Sequence, residues 1–90
     1  MKSLNSNVQA SVTFINRANC TVIIFWLDYG GSLRQYKTLN DGTQYTQGTF
    51  ITNPWCFRDA LTGRVLVTSC GEPVYYPNGT VGGETVVIVG

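Results

Sequence analysis

An all-β fold, a single small antiparallel β-sandwich of seven to eight strands, is what this sequence predicts, and three observations point to it. Short β-branched and aromatic runs recur between Gly, Asn, Asp and Pro clusters, and no stretch carries a helical period. Ninety residues suffice for one core of modest depth and not for two. Charged residues make up 12% of the chain, about half the usual ~25%, so that Thr, Asn and Gly carry the polar surface.

The elements follow in order. Val8 to Ile15 alternates Val8, Ala10, Val12 and Phe14 on one face and stops at Asn16-Arg17-Ala18-Asn19. Thr21 to Asp28 (TVIIFWLD) is a run suited to burial on much of both faces. Tyr29-Gly30-Gly31-Ser32 supplies residues that accept positive φ and forms a hairpin turn into Leu33–Thr38. Asn40-Asp41-Gly42 is a second strong turn. Thr43 to Phe50 alternates again, and Gly48 within it suggests a bulge or a close backbone approach. Ile51-Thr52-Asn53-Pro54 is a loop, because proline biases its predecessor toward extended geometry. Trp55–Asp59 and Arg64–Thr68 flank a hairpin at Ala60-Leu61-Thr62-Gly63. Gly71-Glu72-Pro73 introduces Val74-Tyr75-Tyr76, and a turn region carrying Pro77-Asn78-Gly79 and Gly82-Gly83 precedes the closing strand Glu84–Val89. Residues 1–10 are a tail and the start of the first strand, frayed over Ser3–Asn7, and 11–90 form the domain.

Composition excludes several function classes. Six Lys+Arg against five Asp+Glu leave a net charge of +1, too little field for nucleic-acid or membrane-surface binding. No eighteen-residue apolar run occurs, and Met1–Asn7 lacks the apolar segment of a secretory signal. Histidine is absent, which removes Ser-His-Asp and Cys-His catalysis together with the commonest metal ligand. The acids Asp28, Asp41, Asp59, Glu72 and Glu84 form no motif. No enzyme, metal or cofactor is therefore expected. Of the three cysteines, Cys56 lies between Trp55 and Phe57 as a small core hydrophobe, and Cys20 and Cys70 lie beside turns, the preferred pair if a disulfide forms. Asn19-Cys20-Thr21 and Asn78-Gly79-Thr80 fit the glycosylation sequon.

Three segments carry a resemblance: Val12-Thr13-Phe14-Ile15-Asn16-Arg17, Phe25 to Gly31 with Tyr36-Lys37-Thr38-Leu39 and Gly42-Thr43, and Trp55-Cys56-Phe57-Arg58-Asp59-Ala60. In order and spacing the chain resembles the β domain of the von Hippel–Lindau tumour suppressor family, from about Ser11 to Val89. The resemblance implies a seven-stranded sandwich that binds an extended peptide along one strand and seats a hydroxylated proline among aromatic and polar side chains. Its pocket aromatics fall on Trp26, Tyr36 and Trp55, and its hydroxyl-binding serine and histidine on Thr49 and Asn53. A peptide-contacting tyrosine becomes Phe50, without the hydroxyl, and a further histidine becomes Gly48. The partner implied is a proline- or hydroxyproline-containing protein. The family's helical, elongin C-binding domain has no counterpart in the sequence, so no elongin C docking is expected.

Each residue also has a plainer reading. Trp26, inside Ile23–Leu27, reads as core, whereas Trp55 follows a loop proline and reads as partly exposed. Tyr36 alone reads as a surface tyrosine, and Arg58 and Asp59 as hairpin supports. The alternative function is a secreted or cell-surface structural β-sandwich that has lost the pocket. Low charge and the sequons suggest an extracellular setting, the resemblance a cytoplasmic one. A carbohydrate-binding module using Tyr75, Tyr76 and Trp55 is a third reading.

Overall fold

The computed structural model describes residues 9–28, 30–50, 53–80 and 82–90. The expected strand start at Val8, the frayed tail, Tyr29 of the first hairpin turn, and Ile51 and Thr52 of the loop lie outside the described residues. Eight strands occur in the order expected: β1 (Gln9–Asn16), β2 (Val22–Leu27), β3 (Leu33–Leu39), β4 (Gln44–Phe50), β5 (Trp55–Asp59), β6 (Val65–Thr68), β7 (Val74–Tyr75) and β8 (Glu84–Val89). Among the described residues there is no helix.

Purely antiparallel pairing is corrected. β1 runs antiparallel to β4 on one side and parallel to β8 on the other. β6 pairs with both β5 and β8, so one continuous sheet runs β3-β2-β5-β6-β8-β1-β4, with β7 beside β5. The physical reason lies in β6: β8 pairs antiparallel with it, and that direction leaves β8 parallel to β1 on its other edge, with Val86 and Ile88 buried.

The sheet folds over a core that includes Val12, Phe14, Val22, Ile24, Trp55, Phe57, Leu66 and Ile88, each at most 2% exposed. Each such side chain contributes about 1.5–3 kcal/mol on burial. Phe14 stands at the centre, 5.5 Å from the Trp55 ring and 5.6 Å from Phe57. Fully buried Asn16 ties the layers together: its Nδ2 donates to the carbonyls of Cys20 and Leu39, and its Oδ1 accepts from Ala18 N–H.

The Asn40–Gly42 turn connects β3 to β4, but the two strands do not pair with each other. They are the two ends of the sheet, bent toward one another. Among the described residues side chains span the seam: Gln47 Nε2 donates to the Tyr36 hydroxyl at 3.2 Å, and Lys37 Nζ lies 5.1 Å from the Tyr45 ring centre.

All three cysteines are free thiols, and the Cys20–Cys70 bridge is not formed. Cys20 faces Asp59 and Arg64, at the beginning of β6, whereas Cys70 follows its end. Four strand residues at ~3.3 Å each separate those ends by about 13 Å, roughly twice the Cα separation a disulfide spans.

Candidate side-chain-binding site

Where the seam between β3 and β4 opens, it holds a cavity of about 190 Å³. Its walls are Trp26, Tyr36, Gly48, Thr49, Phe50, Asn53 and Trp55. All six residues named from the sequence are therefore brought together, from β2, β3, β4, the loop after it and β5, and Gly48 joins them.

Local structure explains each position. Trp26 and Trp55 are direct partners in the β2–β5 ladder, so both rings stand on the same face. Their burial reverses the sequence expectation. Trp55 is 2% exposed and belongs to the core, while Trp26 is half-buried. Trp55 is covered because Phe14 packs against it from within and the Tyr36 ring meets it edge-on at 5.2 Å, 85° between planes.

Tyr36 reaches Trp55 through a bulge. The β2–β3 register steps from Ile24↔Lys37 to Phe25↔Gln35, which leaves Tyr36 as the extra residue. A bulge re-aims the side chain it carries, and here it brings an otherwise exposed tyrosine against Trp55. The irregularity expected at Gly48 is thus found at Tyr36 instead. Gly48 sits in regular register opposite Ser11, and a Cβ there would meet nothing within 4 Å. Its missing side chain leaves the cavity rim open.

Polar groups line the floor. Asn53 Nδ2 donates to Thr49 Oγ1 at 3.3 Å, and both residues are buried. Asn53 Oδ1 and Trp55 Nε1 are buried and have no hydrogen-bond partner among the described residues. One is an acceptor and the other a donor. Above them, Tyr45 donates to Gln47 Oε1 at 2.6 Å, and Gln47 Nε2 donates in turn to Tyr36, leaving the Tyr36 hydroxyl free to donate its own proton. Nothing in the sequence but strand alternation marks Gln47.

Other residues singled out have structural roles. Asp59 Oδ1 accepts from the N–H groups of Leu61 and Thr62, which closes the β5–β6 hairpin. The Tyr75 hydroxyl donates to Glu84, whose carboxylate also accepts from Asn78 and Gly79 N–H, so Tyr75 packs inward while Tyr76 stays half-exposed. Among the described residues no cluster of His, Cys, Asp or Glu is suited to a metal ion.

The described residues thus form an all-β module with an aromatic-walled cavity between the two end strands of its sheet. The VHL beta domain model matches residues 1–83 of the 90, and the chain belongs to that family. Membership makes it a protein-binding module by family.

Proposed function

We propose that the domain recognises an extended segment of a partner protein through one proline or hydroxyproline seated between Trp26, Tyr36 and Trp55. One observation carries this reading: two of the residues that wall the cavity, Asn53 and Trp55, each bury a polar atom, the acceptor Oδ1 and the donor Nε1, that no described residue uses. Leaving such groups unpaired costs about 1–3 kcal/mol each, so their retention favours a ligand that satisfies them. A hydroxyl both donates and accepts and suits the pair. Thr49 Oγ1 lies within hydrogen-bond reach of Asn53 and adds a third polar group.

Size narrows the ligand. At about 190 Å³ the cavity is smaller than the ~300 Å³ where small-molecule sites begin, so one side chain suits it better than a free metabolite. Aromatic walls suit a pyrrolidine ring, which loses little entropy on docking. The outer edge of β4, unpaired among the described strands, supports main-chain pairing with an extended segment. A structural sandwich that had lost its pocket would gain by filling it, and here it stays open.

Calorimetric titration of a blocked peptide carrying central hydroxyproline, and of its proline twin, tests the proposal. Both should bind, the hydroxylated peptide about tenfold tighter, since a polar site left unpaired discriminates against the analogue lacking the hydroxyl. No heat with either peptide, from protein shown to be folded by circular dichroism, would refute it.

A further inference from the structure

A second depression adjoins the cavity and shares Trp26 and Tyr36 with it. It measures about 510 Å³, and its other walls are Asp28, Gly30, Arg34 and Gln35. It lies toward the open end of the seam, since β3 runs from Tyr36 back to Arg34 in that direction.

The charges in it are unequally engaged. Asp28 is nearly saturated: Oδ1 accepts from Gly30 and Ser32 N–H, each at 2.9 Å, and Oδ2 accepts from Arg34 Nε at 2.7 Å. Its side chain is only 12% exposed, against 68% for Arg34. A guanidinium has five N–H donors, and Arg34 uses one. Among the described residues its two terminal nitrogens have no partner. Anchoring through Nε fixes the plane of the group and leaves the fork of terminal nitrogens, the geometry that holds a carboxylate bidentately. Lys37 adds a second positive charge on the same strand, while β4, across the seam, carries none of either sign.

The geometry points to an acidic side chain, Asp or Glu, flanking the seated imino acid in the bound segment and received by Arg34. This rests on the cavity being the imino-acid site. Asp28 acts as a positioning residue: it holds the guanidinium and does not itself meet the ligand.

The test uses short blocked alanine-based peptides with a central hydroxyproline, in which Glu or Gln is scanned through the flanking positions. Affinity is read by fluorescence anisotropy for the wild-type domain, Arg34→Gln and Arg34→Lys. On one side of the imino acid, Glu should bind about fivefold tighter than Gln at low salt, with the advantage shrinking as salt is added. Arg34→Gln should abolish the advantage, and Arg34→Lys should retain only part of it, because an ammonium cannot bind bidentately. Equal affinity for Glu and Gln at every position, with the hydroxyproline host still binding, overturns the acidic preference and leaves the cavity reading intact. No binding of any peptide to the folded domain overturns both. Arg34→Gln removes the charge that pairs with Asp28 and should melt below the wild type, so circular dichroism is used to establish that each variant is folded before its affinity is read.

Discussion

An amide buried with part of its hydrogen-bonding capacity unused, as at Asn53, weakens the unliganded fold, because the desolvation of Oδ1 goes uncompensated. Replacing Asn53 with leucine, of similar size and without polar atoms, removes that deficit and forfeits only one long bond to Thr49. Asn53→Leu should therefore be more stable to urea by about 1 kcal/mol, while its preference for hydroxyproline over proline disappears. A lower urea midpoint would mean that Oδ1 is satisfied in the native state. Trp55 shows the other side of the same residue-level balance. Its Nε1 is equally unpartnered, but its ring is core, so truncation would unfold the domain before it reported on binding.

Tyr36 works only because its strand is irregular. β3 is exposed along all but its last residue, so it carries no core face that a register change would expose. Deleting Tyr36 would join Lys37↔Ile24 directly to Gln35↔Phe25 and make the ladder continuous with every other pair unchanged. The ΔTyr36 protein should thus fold, with a melting temperature near that of Tyr36→Ala, and show red-shifted tryptophan emission as Trp55 loses its cover. A ΔTyr36 protein that fails to fold would show that the bulge is structural and not a device for aiming one ring. This element also marks the limit of the sequence. Strand runs and turns were legible because β-branched and aromatic residues and the Gly30-Gly31, Asp41-Gly42 and Thr62-Gly63 pairs act locally. Which edges pair was not: alternation tells a strand its faces and not its neighbours, so the parallel β1–β8 pair, the unpaired β3 and β4 edges and the bulge stayed hidden. Local sequence misorders the burial of Trp26 and Trp55 for the same reason, since Phe14 and Tyr36 cover Trp55 from distant positions. The six cavity residues were legible only through the family resemblance. The Arg34–Asp28 pair has no signature in the sequence, because a salt bridge formed around a turn leaves no periodic mark.

Across the whole molecule, the titrating groups sit at two extremes and leave the middle empty. Histidine is absent, so no side chain has an ordinary pKa between those of the carboxylates and the thiols. Asp28 is held below the usual carboxylate range chiefly by Arg34, with help from the Ser32 and Gly30 N–H groups. Asp59 is lowered chiefly by the Leu61 N–H. Each favours the ionised form in the native state, so its stabilisation is present above the unfolded Asp value of about 3.9 and is lost as the pH falls through the lower native value. The thiols of Cys20 and Cys56 are raised, first of all by burial. Tyr75 is raised well above an ordinary phenol, first by burial and then by its hydrogen bond to Glu84. For these three the native state favours the neutral form. Their contribution is complete below the unfolded values, about 8.5 for Cys and about 10 for Tyr, and is lost as the pH rises through the native ones. Melting temperature should therefore be flat from about pH 5 to about pH 8, fall on the acid side as the turn aspartates protonate, and fall on the alkaline side in two stages. Asp28→Asn should flatten part of the acid limb, and Tyr75→Phe should remove the steeper alkaline stage above about pH 10. Melts followed by circular dichroism across this range decide the matter. A step near pH 6.5, where only histidine ordinarily titrates, would contradict the assignment, and so would a Tyr75→Phe protein with an unchanged alkaline limb.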